Sequence, residues 1–357
     1  MRGGPWLWGW RVDLGVFALP TLAALALVGA TRAAGISGHT PEWAWLVLVL
    51  GVDVAHVWAT GFRSYFDPVE LRARPWLYAL VPLGCWAAGV MLHMRSPLLF
   101  WRVLAYVAVL HFVRQQAGWT AIYRARSRQT GRLDRVLDDA VIYLGAGVPI
   151  LAWHTRLPRP FAWFVEGDFM ALPAAAASLV PVGHALVVVA LAAWSLRQID
   201  LARRGEASGG KAAVVLSTVV SWYGAIVLAP DDFTFTALNV LPHGVPYFAL
   251  LWAHGRARQR RAPSTPGSRV VAAGFGAFVG VLVLIALLEE ALWDRLVWHE
   301  RDWLFGHLPA VEVGLLSLLV PLLALPQATH YVLDAFLWRR GAAGPEQAEA
   351  LGFVRPG

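Results

Sequence analysis

Ten stretches of this chain stay apolar long enough to cross a bilayer, and that recurrence decides the fold class before any single motif is weighed. They run at about 12–30, 43–62, 76–93, 98–118, 138–154, 176–196, 212–229, 233–254, 270–288 and 309–338. Each is close to the ~20 residues with which an α-helix covers a ~30 Å hydrocarbon core. A backbone in lipid has no water to bond to, so a spanning segment of this kind is helical. Hydrophobic residues make up 58% of the chain and 19 residues are tryptophan, far from a soluble composition. The expectation is an all-α protein: one polytopic transmembrane helical bundle of about ten spans, forming a single domain over residues 1–357.

The net charge of +7 does not point to nucleic acid, because the arginines lie in short runs between apolar stretches. Those runs precede the first span and follow the second, fourth, sixth, eighth and tenth: Arg63, Arg72 and Arg74; Arg124 to Arg135; Arg197 to Lys211; Arg256 to Arg269; Arg339 and Arg340. By the positive-inside rule this alternation puts both termini in the cytoplasm, and the expected location is a bacterial inner membrane. The first apolar stretch lacks a small-residue cleavage site and is read as a retained span. Cys85 is the only cysteine, which removes a disulfide framework, c-type haem attachment and thiolate metal sites. Two segments on the outer side, "PRPFAWFVEGDF" and "EEALWDRLVWHERDWLFGHLP", read as a Trp/Phe-rich interfacial stretch and an amphipathic surface helix.

Eleven histidines fall on this topology in two groups. His39, His93, His154, His299 and His307 lie in outer loops or at outer span ends, and His184 in the outer half of the sixth span; an ordinary exposed or core role suffices for each. His56, His111, His243 and His330 lie inside the second, fourth, eighth and tenth spans, each roughly 7 to 13 residues before its arginine cluster, or about 10 to 20 Å deep at ~1.5 Å per residue. Each has a polar neighbour three or four positions away on its own helix face: Asp53 before His56, Gln115 after His111, Asn239 before His243 and Asp334 after His330. Such neighbours can orient a metal-bound imidazole through its second ring nitrogen. Ionisable groups in hydrocarbon are costly, at ~2.5 to 3.5 kcal/mol for a charged residue at a helix centre on insertion scales, and tend to be functional. Four imidazoles at one depth therefore read as one shared metal site. His254, three turns after His243, reads as interfacial, although Pro242 and Pro246 flank a point where the helix can bend.

With no thiolate available, an all-imidazole site suits Fe(II), with Zn as an alternative. A centre inside the bundle and open to lipid favours dioxygen and an apolar membrane lipid or carotenoid as reactants. Two other classes fit the residues: haem b held by pairs of axial histidines, and a proton-coupled transporter using Asp53, His56, Arg114, His330 and Asp334 as a relay.

The stretches "DVAHVW", "LHFVRQQ", "LPHGVPYFALLW" and "ALPQATHYVLDAFLWR" resemble the Brp/Blh family of integral-membrane carotene dioxygenases. That resemblance implies iron held by histidines on several spans and oxidative cleavage of a carotenoid. The closest likeness lies in His243 with Trp252, and in the ordered Pro326, His330, Asp334 and Arg339. Where the family carries a second histidine in the third motif this chain has Tyr247, and its final His-to-Asp interval is one residue shorter. Tyr247 and Arg114 are the candidate catalytic side chains beside the four histidines, with Tyr247 lining the approach of the substrate.

Overall fold

The computed structural model of the chain describes residues 5–35, 38–309, 311–338 and 344–353, and among these every regular element is helical. Arg339 and Arg340, used above for orientation and likeness, lie outside the described residues. In chain order the long helices are α1 (Trp10–Phe17), α2 (Leu19–Ala33), α3 (Glu42–Arg63), α4 (Pro75–Arg95), α5 (Pro97–Arg126), α6 (Arg132–His154), α7 (Ala174–Arg203), α8 (Gly209–Leu228), α9 (Asp232–Arg261), α10 (Phe275–Trp298) and α11 (Val313–Leu337). Eight of them, α3 to α8 with α10 and α11, are long and apolar enough to cross a membrane, and α1 with α2, bent by 43° at their junction, make a ninth if taken as one. The remaining expected span, 233–254, falls in the N-terminal part of α9. The helix is unbroken over 30 residues but falls outside that apolar set because Asn239, Pro242, His243, Pro246 and His254, all buried, lower its hydropathy.

Local chemistry explains most boundaries. Prolines open α4 and α5, at the first helical position where a missing N–H does no harm. The Ser208 hydroxyl accepts from the amide of Lys211 to cap α8 (3.3 Å). The expected span 270–288 is displaced: Pro266–Ala272 forms its own short helix, capped by Thr265, and α10 starts only after Gly274, whose φ of 110° is left-handed territory that glycine tolerates. α10 then continues through Glu289 and Glu290 to Trp298, so the expected amphipathic surface helix shrinks to Asp302–Phe305. Glu289 is accommodated by Trp58, whose indole N–H donates to its carboxylate at 2.5 Å.

Contacts divide the described chain into two compact units, and α5 and α9 are continuous helices that contribute to both. One unit holds the N-terminal helices, α6 to α8, most of α5 and the first half of α9. Here Gly145 lies against Val219 and Gly183 against Val148, close approaches that a larger side chain would block. The polar end of this unit is an ion network. Fully buried Asp138 accepts from Trp194 (2.8 Å) and Arg124 (3.2 Å) and pairs with fully buried Lys211 (3.3 Å), which also bonds Gln129 (2.6 Å). The expected interfacial stretch after α6 folds inward instead: Phe161 and Phe169 are buried against Trp153, and Asp168 gathers the amides of Trp163, Phe164 and Val165. The other unit holds α3, α4, α10, α11 and the second half of α9. Ten residues of α3, Trp45–Val54, are wound as π-helix, a form that recurs at functional sites. Its last turn carries Asp53.

Candidate metal centre

His56 leaves α3 just after the π-helical stretch, in the turn where ordinary α-helical bonding resumes. His330 sits in the second half of α11, after a break at Ala324 with Pro326 in the first turn that follows. The two rings meet edge to face, with centroids 5.1 Å apart. The expected partner of His56, Asp53, comes to 3.6 Å of its Nδ1, near but beyond hydrogen-bond reach. The expected partner of His330, Asp334, stands 3.9 Å away. What contacts His330 Nδ1 is the hydroxyl of Thr60, at 2.7 Å.

That hydroxyl belongs to a chain of hydrogen bonds whose directions can be worked out. Trp338 donates its indole N–H to Asp334 Oδ1 (3.3 Å), and an indole N–H can only donate. Tyr247 gives its single proton to the same oxygen (2.7 Å). Tyr247 must then accept from Thr60 (2.8 Å), which leaves the Thr60 oxygen to accept from Nδ1–H of His330. The network therefore fixes His330 as the Nδ1–H tautomer, which places its lone pair on Nε2. Asp334 acts on His330 at two removes, through Tyr247 and Thr60.

His111 and His243 also meet edge to face, with centroids 5.2 Å apart. The Phe112 ring lies flat on His243 at 3.5 Å and touches Trp163 from the loop after α6 at 5.1 Å. That inward-folded loop thus backs the histidine. Gln115, expected beside His111, donates instead to the backbone carbonyl of His243 (2.9 Å). Gln116 does the same for a carbonyl that proline leaves bare. Pro246 has no N–H to offer the carbonyl four residues earlier, that of Pro242, and the Gln116 amide reaches it at 3.5 Å. Asn239 bonds the carbonyl of Phe235 within its own helix (2.9 Å). Two residues of the α5 "RQQ" run thus steady the backbone around His243.

His56, His111, His243 and His330 are all buried, between 1% and 8% exposed, and each offers a ring nitrogen such that the four lie within 4.8 Å of one another. This buried four-histidine group can hold a metal ion. Charged imidazolium would be costly in such a setting, and four neutral imidazoles are a donor set for a borderline transition ion. The four histidines that the sequence places at one depth are the four that meet here. His254, read from the sequence as interfacial, is 5% exposed and bonds the guanidinium of Arg63 at 2.6 Å. His184 pairs with the Tyr223 hydroxyl (3.0 Å) and His93 with Ser317 (3.1 Å). Tyr247 is 1% exposed, its hydroxyl committed to Thr60 and Asp334, whereas the Arg114 side chain is exposed.

Beside His330 lies an apolar cavity of about 310 Å³, walled by Trp58, Tyr65, Phe66, Leu322, Leu325 and Leu333, with Thr60 and His330 among its few polar contacts. Volumes of this order take small-molecule ligands. No protein-family model, curated protein or solved structure matches the chain.

Proposed function

We propose that the chain is a metal-dependent membrane oxygenase, in which His56, His111, His243 and His330 hold non-haem Fe(II) and the substrate is an apolar lipid or carotenoid. The observation that carries this reading is the junction of two features at His330: one ring belongs both to the four-histidine group and to the wall of an apolar cavity. Such an ion, when bound, supplies the redox chemistry by which dioxygen reacts with an otherwise inert hydrocarbon or polyene. The chain's own contribution is to hold four neutral imidazoles, to fix the His330 tautomer through Thr60, Tyr247 and Asp334, and to keep water from the hydrocarbon that enters the cavity. Tyr247 acts here as a positioning residue, and exposed Arg114 is given no part.

The geometry favours a bare ion over haem b. Four ring nitrogens within 4.8 Å of one another suit a single ion, whereas haem b calls for only two axial histidines. The reading also takes in ten spans with both termini in the cytoplasm of a bacterial inner membrane, supported by the arginine runs and by counting α9 as a span despite its polar residues. It accords with the likeness to Brp/Blh carotene dioxygenases in the four histidine-bearing stretches. The test is to load detergent-purified protein with Fe(II) and incubate it with carotenoids and with total membrane lipid, with and without oxygen. Mass analysis should find oxygen-dependent products. Turnover without oxygen, or no product from any lipid class with the metal bound, rules the oxygenase out.

A further inference from the structure

A second group of ligating side chains lies in the connection between α10 and α11, well separated in sequence from three of the four buried histidines. His299, Asp302 and His307 each offer a ligand atom within 4.8 Å of the others. His307 Nδ1 stands 3.1 Å from Asp302 Oδ2, and the rings of His299 and His307 are 5.8 Å apart. Nδ1 of His299 is buried and makes no hydrogen bond among the described residues. The turn that carries His299 is pinned. Its backbone takes the left-handed conformation (φ 55°), its amide bonds the carbonyl of Asp294 at 2.7 Å, and the Asp294 carboxylate accepts the amides of Glu300 (3.0 Å) and Arg301 (2.9 Å). A non-glycine residue at positive φ is held there by its surroundings. The Arg301 guanidinium lies 3.8 Å over the ring of Trp45. What remains is a prearranged pair of imidazoles and one carboxylate, with Asp302 and His307 open to water.

We propose that His299, Asp302 and His307 form a second metal site, for a borderline divalent ion of the Zn²⁺ or Cu²⁺ type, with water completing its coordination. Two nitrogens and one carboxylate oxygen suit such ions better than Ca²⁺ or Mg²⁺, which favour all-oxygen sites. A bound ion would clip the end of α10 to the residues leading into α11. Because two of the three ligands are exposed, this ion exchanges quickly with solution, whereas one held by the buried histidines does not. Equilibrium dialysis of the full-length protein in detergent against Zn²⁺ separates the two. His299→Ala/His307→Ala should bind one ion fewer per chain than wild type, and the missing ion should be the one that brief EDTA treatment removes. Asp302→Asn should weaken that ion more than the roughly 10-fold expected for losing an outer hydrogen bond alone. Helical circular dichroism and elution volume report whether each variant is folded. A parallel Cu²⁺ titration followed by electron paramagnetic resonance should show nitrogen coupling that disappears in the double variant. Unchanged stoichiometry, or an EDTA-labile ion that persists in the folded double variant, overturns the site. The outcome is independent of the buried centre, because loss of the buried ion would leave this one in place.

Discussion

At the scale of single residues, Thr60 decides which face His330 presents. Its hydroxyl links His330 Nδ1 to Tyr247 by two hydrogen bonds. Thr60→Val, nearly the same shape without the hydroxyl, is therefore expected to weaken metal binding by about 10-fold to 100-fold, the range for loss of a residue that orients a metal ligand. Thr60→Ser should restore most of the affinity. Competition against a chromophoric chelator measures both, and equal affinity in Val, Ser and wild type would show that the hydrogen-bond chain does not set the ligand. Asp334→Asn should fall between wild type and His330→Ala, because its influence passes through Tyr247. The four histidines were legible in the sequence because depth along a helix can be counted from the arginine runs. Thr60 was not. A single threonine in an apolar helix has no distinguishing spacing, and only the fold shows that it stands between Tyr247 and His330. Gln115 was found for the wrong reason: its spacing put it beside His111, while its amide serves the backbone of His243.

At the scale of elements, proline in α9 and glutamine in α5 form a matched pair. Leaving a buried carbonyl unsatisfied costs ~1 to 3 kcal/mol, so Gln116→Leu should destabilise the protein by about that much in a detergent unfolding assay. Pro246→Ala returns an N–H to the helix, and in that background the same substitution should cost little. A coupling energy near zero would mean that Gln116 and Pro246 are unrelated. The ion network that ties α5, α6, α7 and α8 makes a stronger demand. Lys211 and Asp138 are both fully buried, and truncating one partner of a buried pair typically costs ~3 to 5 kcal/mol because the other charge is stranded. Lys211→Met is expected to lose about that much, and Lys211→Met with Asp138→Asn to recover much of it. The sequence showed Asp138 only as an acid at the start of a short span. Its partners come from three other helices, a convergence that hydropathy cannot register. The packing of the loop after α6 was hidden for a related reason: its aromatic residues fit an interfacial belt by composition, and nothing in their spacing marks Phe161 and Phe169 as packed on Trp153.

At the scale of the whole molecule, the number of spans and their direction are open to a direct chemical test, aided by a chain with one native cysteine, Cys85. With Cys85 changed to alanine, Ser264→Cys should react with a membrane-impermeant maleimide only from the cytoplasmic side, and Ala171→Cys only from the opposite side. Both positions are exposed. Labelling of both from one side would mean that α7, α8 and α9 do not all cross the membrane. The order of the four histidines along the chain bears on biosynthesis. His56, His111 and His243 precede His330, which comes last of the four, in α11. A nascent chain therefore lacks one quarter of the proposed centre until α11 has been made, so the ion can be held by all four ligands only once α11 is in place. Prematurely terminated products would carry the first three ligands without trapping the metal as the full protein does.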